Sequence, residues 1–175
     1  MLQNYNLYKI LKIFLDNPTE SFRLRELSRL SKISPPSVMN YLKSFEEQEL
    51  IIKYKKRGIP FYQASRDNKN FILYKKISII YELNNSGLVD FLWEELSPEA
   101  IILYGSCVRG EDIENSDIDI FLTEIDRKKE IDIKKFEENL GKNVHLMFDK
   151  LKNIPNELKN NLVNGIILKG YLKIE

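Results

Sequence analysis

The chain has 175 residues, enough for one domain or two small ones, and its 43% hydrophobic and 30% charged content is that of an ordinary soluble globular protein. No apolar run approaches the roughly 18 residues a membrane span needs, and a single cysteine, Cys107, excludes an internal disulfide. The formal net charge of +1 hides an asymmetry: residues 1–66 hold 12 Lys/Arg against 6 Asp/Glu, and residues 67–175 hold 15 against 20.

A basic front and an acidic back point to two modules, the first suited to a polyanion and the second to cations or metal-bound phosphates. The opening stretch "MLQNYNLYKILKIFLDNP" lacks the basic start and small-residue cleavage site of a secretory signal. With one cysteine, a reducing cytoplasm is the expected location, without a membrane partner.

Leu7, Ile10, Leu11, Phe14 and Leu15 recur at helical spacing, and "DNP" ends that helix near Asn17. "FRLRELSRLS" gives a short second helix carrying Leu24, Leu27 and Leu30. Ser34 is expected as N-cap with Pro35 at the first position of a third helix, which runs to about Glu49 with Val38, Leu42 and Phe45 inward. Two β-prone runs, 50–54 and 59–64, flank the basic turn Lys55-Lys56-Arg57-Gly58 and read as a hairpin.

Three helices followed by a basic hairpin resemble a winged helix-turn-helix domain over residues 1–66. The resemblance implies double-stranded DNA as partner, with the third helix in the major groove and the wing on the backbone. Ser37, Asn40 and Lys43 would then face base edges or nearby phosphates, and Lys53, Lys55, Lys56 and Arg57 would neutralise phosphates. Two plainer readings stand beside it: a solvated hairpin tip, or a protein-protein module.

Residues 67–97 read as a helical connector: a helix of about 14 residues, a break at Asn84-Asn85-Ser86-Gly87, and a second helix with Leu88, Phe91, Leu92 and Trp93, stopped by Pro98. A homodimer face is one possibility there, because winged helices often bind two-fold related half-sites.

The third segment, 98–175, carries the chemistry. "AIILYG" is a short apolar strand ending at Gly105-Ser106. In "DIDIFL" the alternation puts Asp117 and Asp119 on one face of a strand and Ile118 and Ile120 on the other. Adjacent ionised carboxylates repel and resist leaving water. A bridging divalent cation would explain both, and hard oxygen ligands suit Mg²⁺, or Mn²⁺, carrying nucleotide phosphates. Gly105 allows close backbone approach to a phosphate, and Ser106 offers it a hydroxyl and an amide.

Gly105-Ser106, ten residues, then Asp117-x-Asp119 is similar to the signature of the DNA polymerase β-type nucleotidyltransferase superfamily, its minimal nucleotidyltransferase branch above all. "GSCVRGE" and "SDIDIFL" follow the wording of that family, which adds Arg109 and Ser116 to Gly105 and Ser106 as nucleotide-binding candidates. The expected fold class is a two-domain α/β chain: a winged helix, then an α+β nucleotidyltransferase domain with a mixed sheet. "ELKNNLVNGIILKGYL" would supply that domain's closing helix and last strand.

The family carries a third carboxylate on the next long strand, here "KNVHLMF", expected after an amphipathic helix at 129–140. His145 falls at that position. It is a poor Mg²⁺ ligand when neutral, a candidate general base, or a residue that merely lines the pocket. Asp149 has the same parity but lies two pleats on, and Cys107 reads as packing. The resemblance implies Mg²⁺-dependent transfer of a nucleoside monophosphate from an NTP, ATP foremost, to a hydroxyl acceptor, through Asp117, Asp119 and His145. Two alternatives stand: a DNA-binding transcriptional regulator whose nucleotidyltransferase fold only senses nucleotide, and, from family habit, an antitoxin with a helical toxin-type partner.

Overall fold

A computed structural model describes residues 5–125 and 131–173. The structure is mixed α/β, and the chain divides into two compact units, Met1–Lys75 and Lys76–Glu175. Residues 67–97 do not stand apart as a connector, since the division falls inside a long helix.

In the first unit, α1 (Asn6–Asp16) buries Ile10, Leu11, Phe14 and Leu15 along one side. Asn17 ends it by donating its side-chain amide to Ile13 O at 2.9 Å. α2 (Leu24–Ser31) buries Leu27 alone; Leu24 is half-buried and Leu30 is exposed. α3 (Pro35–Glu47) buries Val38, Leu42 and Phe45. Ser34 holds the N-cap position, but its hydroxyl meets the Ser37 hydroxyl at 2.9 Å and caps no backbone amide. Each large side chain buried here contributes about 1.5–3 kcal/mol.

The hairpin is β2 (Ile51–Lys56) and β3 (Ile59–Ala64), paired from Lys56↔Ile59 to Ile51↔Ala64. Its two-residue turn, Arg57-Gly58, has positive φ at both positions (53° and 78°), the type I′ geometry that suits strand twist. A two-residue strand, β1 (Ser21–Phe22), adds to the other side of β3, giving the order β1-β3-β2. The core is completed by Tyr62 and by Phe71 of α4 (Lys69–Asn85), a helix of 17 residues. Asn68 caps α4 by accepting the Asn70 and Phe71 amides at 2.8 and 3.0 Å.

The second unit is built on four strands in the order β6-β5-β4-β7. β4 (Ala100–Tyr104) is buried along its whole length. It pairs antiparallel with β5 (Ile118–Thr123) and with β7 (Ile166–Gly170), and β5 pairs parallel with β6 (Val144–Asp149). One face of this mixed sheet packs Ile101, Leu103, Ile118, Ile120 and Leu122 with Leu83 of α4 and with Leu88, Val89 and Leu92 of α5 (Leu88–Leu96). The other face packs Ala100, Ile102, Tyr104 and Phe121 with Ile154 and with Leu162 of α8 (Asn156–Val163).

Two short helices complete the unit: α6 (Ser106–Arg109), after β4, and α7 (Lys134–Leu140). α7 is shorter than the expected 129–140. Residues 131–133 are not helical, the Asp132 carboxylate accepts the Lys134 amide at 3.1 Å, and positions 129 and 130 lie outside the described residues. Among the described residues no helix is long and apolar enough to cross a membrane.

Candidate active site

The site is assembled where β4 ends and β5 begins. Gly105 follows β4 with φ 79° and ψ −150°, a conformation essentially confined to glycine. A Cβ built there would overlap the Asp119 carboxylate, so the missing side chain is also what lets this carboxylate lie against the turn. Ser106 then opens α6, half-buried beneath the turn. Gly105→Ala should therefore cost about 1–3 kcal/mol in backbone strain and push Asp119 aside. Chemical denaturation checks the first effect, and a structure of the variant checks the second.

Register brings the remaining groups together. Tyr104 pairs with Asp119 across β4–β5, and Asp119 pairs with His145 across β5–β6, so the three form one row over three strands. His145 Nδ1 lies 3.3 Å from Asp119 Oδ1, with its side chain 60% exposed against 29% for Asp119. Burial, and then the negative charge of Asp119, push the Tyr104 hydroxyl above its ordinary pKa. It stays protonated and donates to Met147 Sδ at 3.0 Å.

Asp117 stands just before β5 and is exposed. Its Oδ1 accepts from the side-chain amide of Asn143 at 3.2 Å, a partner absent from the sequence reading. Asn143 lies one residue before β6, and its residue type gave no signal of this contact. Ser116 closes the loop before Asp117 by accepting the Ile113 amide on its hydroxyl at 2.9 Å. Arg109 is engaged by Glu111, Nε to Oε2 at 2.6 Å, in an exposed pair. Cys107 is buried, with Sγ 3.7 Å from Asp117 O, in keeping with a packing role.

Asp149 does not reach this row. It pairs with Thr123 at the far end of β5. Its carboxylate accepts the Lys150 amide and the Asn153 side chain at 2.7 and 3.0 Å, bracing the 3-10 turn Leu151–Asn153. It stands four positions along β6 from His145, about 13 Å. An open groove of about 420 Å³ runs beside Asp117, lined by residues that include Asn115, Ser116, Glu138 and Asn143.

In the first unit, Asn40 and Lys43 are exposed on α3 and Ser37 is half-buried. Strand alternation separates the hairpin lysines. Lys53 and Lys55 share the side of Ile51, which faces the core, and Lys53 lies 5.5 Å over the Tyr62 ring and 4.0 Å from Glu46 of α3. Lys56 points to the opposite side, and Arg57 sits in the turn. An exposed pair such as Lys53–Glu46 holds its lysine only weakly.

Among the described residues no group of three or more His, Cys, Asp or Glu side chains is arranged to hold a metal ion. Asp117 and Asp119 supply two hard carboxylates. A cation there would take its other ligands from phosphate oxygens and water, as Mg²⁺ habitually does. The donor chemistry and the Gly105 cradle fit such an ion. No curated protein matches the chain. Residues 87–171, which carry the glycine turn, the aspartate pair and His145, match the family model described as Polymerase beta, Nucleotidyltransferase, and this match supports a C-terminal domain of the nucleotidyltransferase superfamily.

Proposed function

We propose that the protein transfers a nucleoside monophosphate from an NTP, ATP foremost, to a hydroxyl on a protein or small molecule. Nucleotidyltransferases of this superfamily generally use a divalent metal and an NTP. The observation that carries the reading is the row Tyr104–Asp119–His145 set against a turn that only glycine can make. Asp117 and Asp119 would hold Mg²⁺ or Mn²⁺, which neutralises charge on the phosphates as it develops.

The chain's own groups do the rest. The Gly105–Ser106 turn offers backbone and hydroxyl contacts to the phosphates. On this reading His145, 3.3 Å from Asp119 and open to solvent, would take the proton of the acceptor hydroxyl. The new P–O bond forms at the α-phosphorus in line with the bond that breaks, and pyrophosphate leaves. Ser116 and Arg109 act on this reading by shaping the loop, since both side chains have partners within it.

A second reading is favoured by the imidazole opposite Asp119: a DNA-binding regulator that retains nucleotide binding and has lost transfer. One experiment separates the two. The protein is incubated with cell extract, Mg²⁺ or Mn²⁺, and ATP, GTP, CTP or UTP labelled at the α- or the γ-phosphate. A transferase incorporates α-label and no γ-label into an acceptor. Nucleotide binding without incorporation from any of the four supports the regulator.

The first unit, on this proposal, is a winged helix that binds double-stranded DNA. Its hairpin tip carries Lys55, Lys56 and Arg57, all exposed. Changing the three to Ala should lower affinity and flatten the salt dependence by up to about three counterions' worth. An unchanged slope in a salt titration would mean that the tip does not meet phosphate.

A further inference from the structure

We propose that Asn143 sets the position of the Asp117 carboxylate and is a positioning residue of this site. The inference rests on the reading of Asp117 as a metal-bearing carboxylate. Asp119 is held within a strand ladder on both sides, whereas Asp117 precedes β5 and is exposed. An exposed carboxylate on an irregular segment loses orientation unless something holds it, and metal affinity falls with that loss.

Asn143 grips this segment at two points. Its carbonyl accepts the Ile118 amide at 2.9 Å, and its side-chain amide donates to Asp117 Oδ1 at 3.2 Å. The grip is itself anchored one residue earlier. Lys142 Nζ lies 2.7 Å from Asp112 Oδ2 and 3.2 Å from Ile113 O, and the Lys142 and Asp112 side chains are 11% and 9% exposed. A buried pair of this kind is costly to break once formed. It fastens the loop leading into Asp117 to the segment leading into β6, so the Asn143 amide is presented from a fixed base. Ligand-orienting hydrogen bonds of this kind typically govern metal affinity by about 10–100-fold.

The test uses the full chain and Mn²⁺ as probe, titrated by electron paramagnetic resonance with and without ATP. Asn143→Ala keeps the carbonyl that accepts Ile118 and removes only the exposed side chain, so its melting temperature should stay near that of wild type. Its Mn²⁺ affinity should fall about 10–100-fold. Equal Mn²⁺ affinity in wild type and variant overturns the proposal. A second measurement needs no metal: the side-chain amide resonances of Asn143 should shift on Asp117→Ala, and an unmoved pair also overturns it. Wild type that binds no Mn²⁺ would defeat the metal reading of the site, and the amide resonances alone would then decide whether Asn143 holds Asp117.

Discussion

Asp117→Asn/Asp119→Asn should lose the metal-dependent part of ATP binding while folding as stably as wild type or more so. Asp117 and Asp119 are like charges two residues apart at the entry to β5, and Asp119 is only 29% exposed, so like-charge repulsion between them is expected in the metal-free protein. Amides of the same shape relieve that repulsion but offer a divalent cation no charge. ATP affinity in the presence of Mg²⁺ should fall at least about 10²-fold, equivalent to about 2.8 kcal/mol. Affinity measured in chelator should stay level, and thermal denaturation should show no loss.

Tyr104 gives an internal check on the same variant. Burial and the Asp119 charge both raise its pKa, so the folded state favours the protonated phenol. That preference stabilises the fold at pH values below the ordinary tyrosine range, and the stabilisation fades as pH rises through the folded-state value. With Asp119 neutral, burial alone remains. Tyr104 should then ionise at lower pH than in wild type, yet still above an ordinary tyrosine. Equal metal-dependent ATP binding in wild type and variant would remove the site.

The features legible in the sequence were those written in local patterns. β4 and β5 appear as apolar runs, and period-two alternation sets Asp119 opposite in parity to Ile118 and Ile120, although Asp117, expected on the same strand, falls one residue before β5. The β2–β3 hairpin is announced by two β-prone runs around the basic turn Lys55-Lys56-Arg57-Gly58, but β2 runs on to Lys56 and the turn narrows to Arg57-Gly58, where positive φ at an arginine is not legible in the sequence. β1 could not be read: two residues carry no period, and Ser21–Phe22 is a strand only because β3 offers it an edge. Ser34 illustrates a different limit. Its position at the start of α3 is local, but where its hydroxyl points depends on Ser37 one turn on.

The site divides in the same way. The glycine turn and the aspartates lie within one short stretch, so spacing reveals them. The partners of the aspartates, Asn143 just before β6 and His145 within it, come from another part of the chain, and only strand pairing says which residues stand opposite. A shift by one residue would have turned His145 away and brought neighbours of opposite parity forward. Asn143 shares the parity of His145, but an asparagine carries no chemical signal until its partner is known. The Asp112–Lys142 pair joins two loop residues far apart in sequence, and no periodicity foretells it.

His145 is where transferase and regulator part, and register gives the test its force. His145 stands beside Asp119, and Asp149, the other candidate on β6, is committed to the turn at the strand's far end. If the imidazole takes the acceptor proton, wild type is active and His145→Ala should cost roughly 10²–10⁴-fold in rate, the usual contribution of a positioned base. If His145 instead marks a lost carboxylate, His145→Asp should make transfer appear or rise. The same change puts a third negative charge beside Asp119, so the metal-free variant should melt lower than wild type. Added Mn²⁺ and ATP should then raise its melting temperature by more, as ligand linkage requires of a tighter site. Incorporation of α-label by wild type, His145→Ala and His145→Asp, together with the two melting series, reads these outcomes. Equal transfer by wild type and His145→Ala would strip His145 of any catalytic part. Failure of both wild type and His145→Asp to transfer, with nucleotide still bound, would leave the regulator as the function of the chain.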